Sequence, residues 1–431
     1  MNSQINLTAS FHPARPGYVS FAAILWIMVW AGIDTGPWVL RRFPANLLGW
    51  VHYLRTLFPL AALLVASLVM VEKGRFGNRA LFGPIRLWLF YGLISLTACI
   101  NSPKPFDAAY WAINYLSVFA AISVFLLDEN KLSAAIHLNY VCWAWTALLL
   151  IVLVVVSRDA LFVDYRYGWI TGYGIVNRMK SIANIAMSRS SGMARFAAIP
   201  GITAFVFLFS RSGWKRFLWI LPFILSALLI WLMQSRGAIL GFVFAMSFVM
   251  LFLGPRSRWL AAVGFIAVGM LHFTNSIPIQ AAHYVKRYFY RGMTPQELET
   301  LTGRTRAWKK ALRQIKKSPI LGRGPQADRY LIREHVHNTY LYALLQGGIT
   351  GAATFAAGLI WAWILFFQAI LRKTAGRQDN HFLIQAGGIL AFFTVRSIPE
   401  VCGAMFGVDL MVMAPIIAYL GLLNRSEKNV S

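Results

Sequence analysis

Val141 to Val156, Phe196 to Phe209 and Ala404 to Leu423 are almost purely apolar runs, and they constrain this chain more than any other feature. A helix crosses about 30 Å of hydrocarbon with about 20 residues. Lipid offers no partner to backbone N–H and C=O groups, so such segments form helices that satisfy those groups internally. Only 13% of the residues are charged and 58% are hydrophobic, whereas soluble domains carry roughly 25% charged residues. The chain therefore reads as an all-α polytopic membrane protein. Its first apolar run, from about Val19 to Ile33, has no small-residue cleavage site after it. Trp26, Trp30 and Trp38 suit a retained, interface-anchored helix. Cys99, Cys142 and Cys402 lie far apart in apolar segments and read as small buried hydrophobes.

Short basic clusters orient the spans, because Lys and Arg near span ends stay cytoplasmic. They are Lys73, Arg75, Arg79 and Arg86; Arg211, Lys215 and Arg216; Arg256 and Arg258; Arg372, Lys373 and Arg377; and Arg425 with Lys428. Placing all of them inside gives about 12 transmembrane helices, at 19–38, 54–71, 86–101, 108–127, 136–157, 195–210, 217–234, 237–253, 259–275, 349–371, 381–397 and 404–423. The chain then divides into N-terminal helices (1–157), central helices with a first outer loop (158–274), a large helical outer loop (275–348) and C-terminal helices (349–431). Much of the formal charge of +26 falls on the large loop, which is tolerated because long loops translocate largely regardless of charge. Within it, Thr305 to Lys317 has amphipathic spacing through Ala307, Trp308, Ala311, Leu312 and Ile315, and Ser276 to Tyr290 forms a second such helix. His337 to Gln346 is too short to cross alone and reads as a partial helix that leads, through Gly347-Gly348, into the tenth span.

The residues that could carry chemistry gather at outer span ends. Arg236, in Gln234-Ser235-Arg236-Gly237, is either a snorkelling anchor or a cation facing an outer cavity. Arg304, in Gly303-Arg304-Thr305-Arg306, stands at a helix N-terminus where the dipole favours an anion, and a guanidinium adds bidentate donors suited to phosphate. His335-Val336-His337-Asn338-Thr339-Tyr340 stands where the loop re-enters the membrane. A histidine there can serve as a general base or be a simple interfacial side chain; metal binding lacks further ligands nearby. Arg189-Ser190-Ser191-Gly192 precedes the sixth span, and Arg396 to Glu400 reads as an ion pair at the end of the eleventh. The chain has no P-loop, no G-x-S-x-G elbow and no Asp-x-Asp pair.

Taken in order, these pieces resemble the O-antigen ligase and polymerase superfamily of membrane glycosyltransferases. The matching residues are Arg189-x-x-Gly192, Ser235-Arg236-Gly237, Gly303-Arg304-x-x-x-Trp308, Pro319-x-x-Gly322-x-Gly324, His337-Asn338-x-Tyr340-Leu341 and Gly348-x-x-Gly351. They cover the second half of the chain. The resemblance implies a GT-C-like fold in the bacterial inner membrane with a periplasmic active site. It also implies metal-independent, inverting transfer, without a cofactor, from an undecaprenyl-diphosphate-linked glycan donor. By motif, Arg236 and Arg304 hold the diphosphate and His337 acts on the acceptor hydroxyl. Arg189, Arg306, His335, Asn338 and Tyr340 line the substrate.

In the ligase branch, the first expectation, the acceptor is a sugar hydroxyl of the lipid A–core, as in lipopolysaccharide biosynthesis. The alternatives are an O-antigen polymerase or an O-linked protein glycosyltransferase of the same superfamily. A transporter of lipid-linked sugars is a further alternative, though no repeated halves are visible. The expected partners are donor, acceptor and membrane lipids, with no nucleic acid. The basic faces of the loop helices are expected to rest at the membrane surface and receive anionic lipid acceptors.

Overall fold

The computed structural model describes residues 16–41, 43–73, 81, 83–128, 130–156, 164–165, 169–170, 190–210, 213–233, 235–254, 259, 263, 266, 304–372 and 380–428. Their helices are α1 (Pro16–Ala31), α2 (Leu47–Glu72), α3 (Pro84–Thr97), α4 (Pro105–Phe125), α5 (Lys131–Val156), α6 (Ser190–Ser210), α7 (Ile220–Leu232), α8 (Arg236–Leu253), α9 (Arg304–Ile315), α10 (Thr339–Arg372), α11 (Asn380–Arg396) and α12 (Val408–Lys428). Among the described residues, 8 helices are long and apolar enough to cross a membrane, and Phe21–Ala31, His381–Arg396 and Val408–Asn424 are shorter apolar ones. Together they coincide with all the expected spans except 259–275, which lies almost wholly outside the described residues. The only strands described are a two-residue pair, Asp164–Tyr165 against Trp169–Ile170.

Several boundaries differ from the hydropathy reading, and three of them matter here. The first span is not continuous to residue 38. α1 ends at Ala31, Asp34 takes a left-handed φ of 62°, and a separate 3-10 turn covers Pro37–Arg41. Arg55 from α2 donates to the freed carbonyls of Ala31 and Ile33 at 2.8 and 3.0 Å, which replaces the bonds a longer helix would have made. α6 begins at Ser190 rather than 195. The twelfth span begins at Val408, so residues 397–407 form an irregular connection.

The expected partial helix before the tenth span is present. α10 starts at Thr339 and is broken at Gly348, with φ 61° and ψ −162°. A Cβ on Gly348 would collide with the Ile320 carbonyl oxygen, so only glycine fits the break. There the turn after α9 lies against the broken helix. Ile349 N–H donates to Pro319, Arg323 N–H to Leu345 and Gly324 N–H to Gln346, at 2.7, 2.8 and 2.9 Å. These bonds replace part of the interrupted helical ladder.

α12 is the centre of the bundle, with Leu410 to Ile417 almost fully buried. α7, by contrast, exposes Leu221, Ile224, Leu228 and Trp231, as a helix bathed in lipid does. α8 lies close along α11, with Gly241 against Phe392 and Gly388 against Val249. The connections group at one end, as alternating spans require. Arg41 bonds Asp107 at 2.7 Å, Asn101 donates to the Gly322 carbonyl at 3.3 Å, and Arg396 donates to the Ser191 carbonyl at 3.4 Å. At the opposite end Gly83 sits against Gly421.

Candidate active site

The site is assembled where α9, the segment 328–338, the head of α8 and the α11–α12 connection meet. α9 is fastened by its apolar face. Ala307 and Ala311 are buried, Trp308 and Ile315 pack on Ala327, Ile332, Val336 and Leu345, and the Trp308 indole donates to the Val336 carbonyl at 2.8 Å. Leu312, expected on that face, is instead 47% exposed, because it stands one residue past the buried Ala311 stripe. Arg304 is the first residue of α9, so this packing sets its position.

His337 comes two residues before α10 and has a left-handed φ of 48°, an uncommon conformation for a side-chain-bearing residue and one that collects at functional sites. Its backbone N–H donates to His335 Nδ1 at 2.9 Å, and its own Nδ1 lies 3.0 Å from Glu400 Oε2. Glu400 Oε1 is 3.6 Å from Arg304. Burial alone would raise the Glu400 carboxyl. The hydrogen bond from His337 and the charges of Arg396, His337 and Arg304 overcome it and hold the carboxyl at about 2. Glu400 is thus ionised and can only accept, so His337 Nδ1 must carry the proton. In the neutral imidazole that leaves Nε2 with its lone pair, the tautomer a general base needs.

His335 has the opposite arrangement. Its Nδ1 accepts from the His337 N–H at 2.9 Å, while the same atom lies 4.0 Å from Asp328 Oδ2. Both contacts cannot hold Nδ1 in one protonation state. The shorter, directed bond decides it, so Nδ1 accepts and the ring is tied to its own loop. Asp328 is fully buried. Burial pushes its carboxyl up to about 6, although the Arg329 charge and the Val336 and Arg329 N–H groups oppose the rise. It braces the loop by accepting from Val336 N–H at 3.3 Å.

Arg236 heads α8 on the same side of the site. The positive charge of Arg304 acts on it, and Gly237, the next residue, faces Pro399 so closely that an added Cβ would stand 3.1 Å from the ring. Arg304 thus flanks Glu400, and Arg236 stands near Arg304 beside the connection that carries Glu400. Arg306 points elsewhere. Its side chain is 73% exposed and pairs with Glu334 at 3.3 Å, beside Lys310 at 2.9 Å. Asn338 caps α10 by accepting from Leu341 N–H at 2.9 Å and donates to the Ile398 carbonyl at 3.0 Å. Tyr340 is 39% exposed, its hydroxyl 3.5 Å from Ser397 Oγ. Arg189 and the helix expected over Ser276 to Tyr290 lie outside the described residues.

The expected Arg396–Glu400 ion pair is not the direct contact formed. Arg396 instead bonds Asp409 at 3.1 Å, and Asp409 also holds Arg195 at 2.6 Å. Asp409 outcompetes Glu400 because it lies in the first turn of α12, buried beside the end of α11. Neither the Glu400–His337 contact nor the Asp409 cluster was expected from sequence. The available signal was the rarity of carboxylates: 15 in the whole chain, with Glu400 in the last connection and Asp409 in the first turn of the helix it enters. Among the described residues no three His, Cys, Asp or Glu side chains are grouped as a metal site.

Residues 221–356 match the family model described as O-antigen ligase. This segment carries Arg236, Arg304 and His337 but stops short of Glu400. The chain is also 24% identical over 385 residues to the exopolysaccharide production protein ExoQ of Rhizobium meliloti (strain 1021), covering 79% of this chain and 82% of that protein.

Proposed function

We propose, from the premise that this multi-pass membrane protein is of the O-antigen ligase superfamily, that it is a ligase. It transfers a glycan from undecaprenyl diphosphate to a sugar hydroxyl of lipid A–core, in the bacterial inner membrane with the site facing the periplasm. The observation that carries this reading is the Glu400–His337 contact beside Arg304, with Arg236 near Arg304. A sugar hydroxyl is a poor nucleophile, and a positioned base contributes typically 10²–10⁴-fold. His337 Nε2 takes the hydroxyl proton as the oxygen attacks the anomeric carbon, on the face opposite the leaving group. The bond from that carbon to the phosphate oxygen breaks, and the lipid diphosphate departs with the electron pair. Glu400 stabilises the imidazolium that forms, and the proton then passes to solvent.

Arg236 and Arg304 face the charge that grows on the diphosphate, so they bind the transition state more tightly than the ground state. Arg306, paired with Glu334, is outside this group.

The second reading is a polymerase that adds units to a growing glycan. It is favoured by the name of the Rhizobium relative, an exopolysaccharide production protein. Purified protein, given undecaprenyl-diphosphate-linked glycan with and without lipid A–core in the presence of EDTA, separates the two. Glycan on lipid A–core, lost in His337→Ala, Arg236→Ala and Arg304→Ala, is the expected result. Glycan that lengthens on its own carrier without acceptor makes the chain a polymerase. Full activity in His337→Ala overturns the assignment of the base.

A further inference from the structure

Thr339 is the first residue of α10, yet its hydroxyl does not cap that helix, since Asn338 already holds the Leu341 N–H. The hydroxyl is turned 61 residues away in sequence. Thr339 Oγ1 donates to the Glu400 carbonyl at 2.9 Å and accepts from Cys402 N–H at 2.8 Å. The Thr339 backbone N–H donates to the Ser397 carbonyl at 3.0 Å. Thr339 is fully buried, so no water can substitute for these bonds, and a buried group left unsatisfied costs free energy.

These three bonds bracket Glu400 on both sides. The connection 397–407 is irregular, and beyond the Glu400 N–H bond to the Arg396 carbonyl at 3.0 Å it has no ladder of its own to fix the direction of one side chain. Thr339 supplies that constraint from the segment that carries His337 two residues earlier. The two halves of the contact, the imidazole and the carboxylate, are thereby referred to one buried hydroxyl. A carboxylate orients an imidazole only while both are held to within a fraction of an ångström.

We infer that Thr339 is a positioning residue for the Glu400–His337 pair, acting through the Glu400 peptide rather than on substrate. The inference rests on the reading of His337 as base. In the full-length protein, Thr339→Val keeps the shape and removes the hydroxyl, and Thr339→Ser keeps the hydroxyl. The expected result is a fall in kcat of about tenfold for the valine variant, with KM for donor and acceptor unchanged and kcat restored by serine.

The same valine substitution made in Glu400→Gln protein should lower kcat no further, because the two changes break one linkage. If the valine variant does not accumulate as folded protein, Thr339→Cys, of similar size and with a weak donor, takes its place with a smaller fall. Wild-type kcat in the valine variant, or equal losses in valine and serine variants, overturns the inference. So does a full additional loss in the Glu400→Gln background. A His337→Ala protein that still turns over at the wild-type rate overturns the reading of the base instead, and the two failures are thus told apart.

Discussion

Glu400 and Asp409 are carboxylates nine positions apart on one stretch of chain, and each is held by cations, yet their surroundings differ in kind. Glu400 faces Arg304 and His337, with side chains 21–28% exposed, whereas Asp409 and Arg396 are 5% and 4% exposed and only Arg195, at 20%, reaches the edge of their cluster. A sealed cluster of fixed charges can only hold helices together, here α6, α11 and α12. A cluster with a histidine and an open side can exchange protons with something that enters. The lesson is that a buried ion group in a membrane bundle acquires chemistry from access and from a titratable partner, not from the number of its charges.

The largest effect that tests this contrast falls on the open cluster. His337→Ala should lower the transfer rate by about 10²–10⁴-fold, measured by turnover, while thermal unfolding in detergent stays as in wild type. Asp409→Ala should do the reverse. It strands two arginines, Arg195 and Arg396, and breaking a buried pair costs about 3–5 kcal/mol, which a thermal-unfolding scan detects. A stable Asp409→Ala protein with lost turnover would break the contrast.

Glu400→Gln comes next. It removes a charged hydrogen bond worth about 1.5–3 kcal/mol, so turnover should fall by about 10- to 150-fold. The pH dependence sharpens the point. Because the Glu400 carboxyl is lowered from 4.5 to about 2, its stabilisation is fully present above pH 4.5 and is lost as pH falls toward 2. Denaturant titrations at several acid pH values should show that loss in wild type and not in Glu400→Gln. Arg306→Ala should be the mildest, below about 1 kcal/mol by unfolding and near wild type in turnover, because exposed pairs contribute little. A collapse of turnover there, with Arg304→Ala unaffected, would exchange the roles of the two arginines.

Hydropathy made most of the spans legible, because lipid leaves a helix no alternative partner for its backbone. Gly347-Gly348 announced the break in α10, since glycine alone accepts the backbone found there. The order of Arg236, Arg304 and His337 announced a site. What sequence left open was which arginine and which histidine belong to it. That answer lies in contacts between residues about sixty positions apart, Glu400 with His337 and Thr339 with the connection, and no local periodicity reports them. Leu312 was misjudged for a related reason: amphipathic spacing marks a stripe but not its edge. Arg396 looked paired with its sequence neighbour Glu400, whereas folding brought Asp409 closer.

The break at Gly348 has one more consequence, which concerns depth. From Ile349 to Arg372 the helix is about 36 Å long at 1.5 Å per residue, already enough for about 30 Å of hydrocarbon. The short helix above the break is a post about 13 Å long, and His337 stands just beyond its tip. The post works as a ruler. In the proposed reaction a lipid carrier keeps its tail among the acyl chains, and its first sugar meets the histidine at that mark. Lengthening the post by one residue would lift the tip by about 1.5 Å and turn it by about 100°, so the ruler also sets the bearing at which the histidine meets its partner.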